Sequence, residues 1–155
     1  IPWETVEAWP QGKALRLEWS LDSGLELVDV AGSQRLRAVL HATDAHPIDV
    51  LAEQCMQQPP YADAPCLDEA YQRWGREMTR VYRELLRRTV SKSDRDRLRT
   101  AQRSWTAFRD AQVAAIETII GGRDGKIWPN AARRELNQLL REQQLRLQRM
   151  TYPLF

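Results

Sequence analysis

Four side chains able to hold a metal or move a proton stand within nine residues: His41, Asp44, His46 and Asp49, in HATDAHPID. Two imidazoles and two carboxylates are a usable donor set, or a base with its orienting acid. Their spacing matches no helical ligand pattern, so they read as solvated turn residues. No nucleophile elbow, phosphate-cradling Gly loop or His-Glu-x-x-His occurs elsewhere. The expectation is a chain with no catalytic residue, no metal site and no cofactor.

A second set is Cys55 and Cys66, eleven positions apart around MQQPPYADAP. In an exported chain such a pair reads as a disulfide; in a cytosolic one both would be ordinary small buried residues. A zinc site lacks a second Cys/His pair at ligand spacing. The bridge is favoured, and closing a loop of that size would stabilise the fold by about 3 kcal/mol in the chain-entropy description.

The third set is GGRDGKIW, Gly121–Trp128. Its three glycines give backbone freedom, Arg123 and Lys126 flank Asp124, and Trp128 opens the next helical stretch. Cations beside an aromatic are binding anchors, although a plain helix–helix loop has the same length and composition.

The elements that must position these residues follow from periodicity. Apolar residues alternate at Leu15, Leu17, Trp19 and Leu21, then at Leu25 and Leu27, with turn residues at Asp22-Ser23-Gly24. Two or three short antiparallel strands are expected between 14 and 42, behind an irregular arm, IPWETVEAWPQG. Pro47 can start a short helix, and Pro59-Pro60 forces an extended path between the cysteines. Tyr71, Trp74, Met78, Val81/Tyr82 and Leu85 form a helical stripe, with Arg73, Arg76, Arg80, Arg83 and Arg87 outside. Gly75 within it suggests the close approach of a neighbour.

Leu98, Ala101, Trp105, Phe108, Ile116 and Ile119/Ile120 draw a second stripe, which the sequence makes the central helix. Ser91 or Ser93 would cap it, and Gly121-Gly122 would close it. A last helix from Pro129 or Asn130, capped by Asn130, would bury Ala132, Leu136, Leu139/Leu140, Gln143, Leu147 and Met150. Tyr152, Leu154 and Phe155 would pack back or meet a partner. Trp19, Trp74 and Trp105 belong to the core stripes, whereas Trp3, Trp9 and Trp128 lie in irregular segments.

With 43% hydrophobic residues and six Trp, the chain can build a packed core. It has no run of eighteen apolar residues, so no membrane span is expected. It opens at Ile1 without Met, as a mature form with its export segment removed would. The net charge of +2 conceals an asymmetry: residues 1–66 carry four basic and ten acidic side chains, and residues 67–155 nineteen and eleven. Basic helices could meet nucleic acid, but Arg and Glu or Asp alternate closely, which favours solvated helix faces. The sequence sets no oligomeric state.

One run is not demanded by periodicity: AQRSWTAFRD, with Gln102, Arg103, Trp105, Phe108, Arg109 and Asp110. Together with Cys55 and Cys66, Gly75-x-x-Met78-Thr79-x-x-Tyr82 and Gly121-Gly122, it resembles the N-terminal domain of the lysozyme inhibitor LprI family, small exported bacterial helical domains. The resemblance covers about residues 50 to 150. It departs at Gly75, where the family tends to have Asp; at Thr79, in place of Asn; and at Val113, where a further Cys is usual.

The chain is expected to be an α+β protein with two parts, the alternation supplying the strands and the resemblance the helical part. Residues 1–50 would be an arm and β-meander extension, and residues 51–155 a disulfide-tethered helical domain. The small antiparallel strand region would pack on a C-terminal three-helix bundle. The resemblance further implies a periplasmic or secreted inhibitor, or an immunity protein against a cell-wall toxin, whose partner is a peptidoglycan-cleaving muramidase. Arg123, Asp124, Lys126 and Trp128 would then plug the partner's cleft, with Tyr61 as the alternative contact. Arg109 would pair with a carboxylate on a neighbouring helix while Trp105 and Phe108 fill the core. The other readings are a nucleic-acid-binding module using the Arg-rich helices, or an unrecognised enzyme.

Overall fold

A computed structural model describes residues 15–20, 24–30, 35–37 and 46–152. Three strands, β1 (Leu15–Ser20), β2 (Gly24–Asp29) and β3 (Arg35–Arg37), form an antiparallel sheet in chain order. The register sets Glu18 opposite Glu26, a repulsive pair. Arg35 resolves it, donating to Glu18 at 3.0 Å and to Glu26 at 3.2 Å. The expected arm, the turn residues at 21–23 and 31–34, and His41 and Asp44 lie outside the described residues.

Four helices follow: α1 (Pro47–Met56), α2 (Asp63–Arg88), α3 (Lys92–Ile116) and α4 (Trp128–Thr151). Pro47 begins α1 as its missing N–H allows. The protein is thus mostly helical with a small antiparallel sheet at its N-terminal side.

Helices α2 and α4 are the closest-packed pair, and they run in the same direction. Arg134 reaches Asp63, Arg133 reaches Asp68, the Asn137 amide donates to the Leu67 carbonyl, and Tyr152 meets Glu84. Their seam holds the core: Ala70, Trp74, Met78, Val81, Leu85, Leu140 and Leu147, joined by Ile48 of α1 and Leu98 of α3. Trp19 of β1 packs against this cluster from the sheet.

Several expectations need correction. The stripe on α3 is not the centre of the fold, because Leu98 is its one buried residue and Phe108 is 51% exposed. Ser91, not Ser93, caps α3, accepting from the Asp94 N–H. The helix does not run to Gly122: a π-helical turn, Glu117–Gly121, follows Ile116. The wider turn shifts the face that later side chains present, and Ile119 is 62% exposed. Asn130 does not cap α4, which starts at Trp128 with Pro129 in its first turn, and Met150 is exposed. A Cβ at Gly75 would meet nothing within 4 Å, so no neighbour approaches there.

Candidate functional site

His46 is not a solvated turn residue. Its Nδ1 accepts the Ile48 N–H and caps α1, while its ring lies 4.4 Å from Trp74 and edge-on to Trp19. Burial, then the cations Arg141 and Arg80, push its pKa down to about 4, so it is neutral near pH 7. Asp49 accepts from Arg141 at 3.0 Å. Among the described residues, no three His, Cys, Asp or Glu side chains gather as a metal site.

The sequence reading also missed a buried ionic network on α2. Glu77 and Glu84 are both buried. Glu77 takes a two-pronged bond from Arg80, at 2.8 and 2.6 Å. Burial works against the Arg80 charge, but the Glu77 carboxylate outweighs it and raises the Arg80 pKa. Glu84 accepts from Arg87, Arg88 and the Tyr152 hydroxyl. Arg80 was expected outside with the other arginines; the i, i+3 spacing of Glu77 and Arg80 was the available signal. The ion pairs lie within α2, and the bond from the Tyr152 hydroxyl to Glu84 joins the end of α4 to them.

The signature run divides. Trp105 is half-buried against the core, whereas Phe108 faces solvent. Arg109 does not reach a neighbouring helix: it donates to Asp110 beside it and lies 5.6 Å over the Trp105 ring. Gln102 Oε1 is 3.5 Å from the Gln143 amide of α4.

The residues that remain for contact lie at one end of the molecule. Cys55 and Cys66 are bonded, tying α1 to the start of α2. Between them Tyr61 is 69% exposed at a left-handed φ of 58°, its N–H bonded to the Gln58 carbonyl. Arg134 of α4 pairs with Asp63, two positions after Tyr61, and also touches the Met56 sulfur. The Gly121–Trp128 loop leads directly into α4, so Arg134 sits only about 9 Å along the helix from Trp128. The fold thereby brings Tyr61 and the loop to the same end.

The loop is braced from within. The Arg123 guanidinium lies 4.7 Å over the Trp128 ring, and its Nε donates to the Ile119 carbonyl at 3.0 Å. Gly125 has φ 119°, a conformation that side chains disfavour, and its open side faces the Trp128 indole. Gly122 does not take the left-handed conformation; it is needed because a Cβ there would stand 2.6 Å from the Thr118 carbonyl oxygen. Asp124 and Lys126 point to water. Ile127 is 70% exposed and joins Ile119 as an apolar contact that the sequence did not mark. The available signal is the pair of isoleucines beside the glycines, in IIGG and KIW, which the helical stripe through Ile119 masks.

The profile of the family described as lysozyme inhibitor LprI matches residues 55–147, more than half of the chain. The chain belongs to the lysozyme inhibitor LprI family. The matched span runs from the first cysteine of the disulfide to the last core leucine of α4 and includes the signature run and the braced loop. No curated protein and no solved structure gives a match. The family is named for the inhibition of lysozyme. Among the described residues, no helix is long and apolar enough to cross a membrane.

Proposed function

We propose that this chain is a periplasmic or secreted inhibitor, or an immunity protein against a cell-wall toxin, that blocks a peptidoglycan-cleaving muramidase. In this reading residues 51–155 are the inhibitory domain, residues 1–50 an extension, and the Gly121–Trp128 loop enters the partner's cleft. Family membership supports the inhibitor class. The observation that carries the loop as the contact is its combination of exposure and internal bracing. Ile127, Asp124 and Lys126 face water while Arg123 is held against Trp128.

A muramidase of the lysozyme type works with two carboxyl groups, one ionised in its resting state. Arg123 and Lys126 complement that charge, and Ile127 and Trp128 supply apolar area that excludes water from it. Because the loop is already closed on itself, little conformational entropy is lost when it docks. The Cys55–Cys66 bond suits an oxidising compartment.

The test is a cell-wall lysis assay with lysozymes and candidate toxins as targets. Arg123→Ala and Trp128→Ala should each weaken protection by tenfold or more, the size of a ~1.4 kcal/mol anchor, with helical content unchanged. Full protection by both folded variants would move the contact to Tyr61. Protection by the parent chain against none of the targets would remove the inhibitor reading.

A further inference from the structure

The α2–α3 side of the molecule carries a second feature that the loop does not use. On α3, Arg99, Gln102, Arg103 and Thr106 follow the i, i+3, i+4, i+7 spacing and so share one face. With Tyr82 of α2 they line an open groove of about 390 Å³. From Asp63 to Tyr82 is about 28 Å along α2, so the groove is remote from the loop end.

The chemistry of its wall is one-sided. Among the described residues, no carboxylate lines it. Arg99 gives one bond to Asp96 and Arg103 one to the Thr100 hydroxyl, and a guanidinium has five N–H donors. The Thr106 hydroxyl donates to the Gln102 carbonyl, which fixes it beside the amide. Asp96, one turn before Arg99, already accepts from Lys92 as well as Arg99, and these bonds hold its carboxyl below the usual range. Asp110, one turn beyond Thr106, is taken by Arg109. The unbalanced charge is therefore positive, and it is carried by two planar forks of the kind that grip carboxylates in pairs of hydrogen bonds. The volume exceeds that of a lone carboxylate and suits one with flanking backbone. Gln102 can pair with a peptide group, and the Tyr82 ring can cover its aliphatic part.

We propose that the groove between α2 and α3, lined by Tyr82, Arg99, Gln102, Arg103 and Thr106, binds an acidic peptide segment through its carboxylate. This does not depend on the role given to the loop.

The experiment is a two-dimensional NMR titration of the full chain with an end-blocked Ala-Glu-Ala peptide. Ala-Gln-Ala and inorganic phosphate are the comparison arms. The expected result is saturable shifts confined to residues near Tyr82 and from Arg99 to Thr106, with the Glu peptide far ahead of both controls. The Arg99→Gln/Arg103→Gln double variant should bind at least about tenfold more weakly, consistent with loss of charge-assisted bonds. No saturable shift, an equal response to Ala-Gln-Ala, or an equal response to phosphate alone overturns the proposal. If the double variant does not fold, Arg103→Lys decides. It keeps the charge but loses the fork, so several-fold weaker binding supports the groove and unchanged binding overturns it.

Discussion

Helices α2 and α3 are almost equal in length, at 26 and 25 residues, and both are Arg-rich with an apolar stripe. Their use differs sharply. Helix α2 buries nine residues, including Trp74 and two glutamates, whereas α3 buries Leu98 alone. The cause lies in their neighbours. Helix α2 has α1 tied to it by the disulfide and α4 laid along its length, with Trp19 packing against the same core. Helix α3 leans on that assembly through Leu98, Trp105 and Gln102, and leaves most of its remaining residues exposed. A stripe states what a helix can bury; the number of partners that reach it decides what it does bury.

The most severe test of this contrast is Trp74→Ala, which empties a fully buried site on α2. It should cost about 3–5 kcal/mol in chemical denaturation. A loss below ~1 kcal/mol would mean that the α2–α4 seam is not the core.

Next comes the histidine that packs on Trp74. His46 is neutral when folded, with a pKa of about 4 against an ordinary value of 6.5, so the unfolded chain binds the extra proton between these values. Its contribution to stability is complete above pH 6.5 and is lost as pH falls towards 4, by about 1.4 kcal/mol per unit in that window. Denaturation across this range should show the slope in the parent chain and lack it in His46→Asn, which keeps a capping acceptor. The same slope in both would remove His46 from the account.

Smaller still is Gly122→Ala, just past the π-helical turn that follows α3. The added Cβ meets the Thr118 carbonyl oxygen, part of a backbone that cannot turn away as a side chain would. A loss of about 1–3 kcal/mol is expected, together with weaker muramidase protection as the loop shifts. A variant as stable as the parent would show that the π-helical turn is not held as described. At the far end of the scale, Phe108→Ala on the open face of α3 should change stability by less than ~0.5 kcal/mol. A loss approaching that of Trp74→Ala would erase the distinction between the helices.

Much of the molecule was legible from residue types alone. Alternation at Leu15–Trp19 and Leu25–Leu27 placed the first strand pair, and Pro47 placed the start of α1. The Tyr71–Leu85 stripe was legible as well, while the cap of α3 was narrowed only to Ser91 or Ser93. The cysteine pair, whose spacing suited a bridge, is bonded. These features are local: period, cap chemistry and turn residues act over a few positions and leave their mark in the order of the chain.

Only the tertiary structure decided the rest. It took His46 out of solvent and buried Glu77 and Glu84. It exposed Phe108, Ile119 and Ile127, and it set Tyr61 at the same end as Trp128. Each of these depends on which distant segment arrives beside a residue, and on a single extra-wide turn after Ile116 that rotates the side chains beyond it. Composition and spacing carry no record of either, because burial belongs to the pair of surfaces that meet and not to one of them.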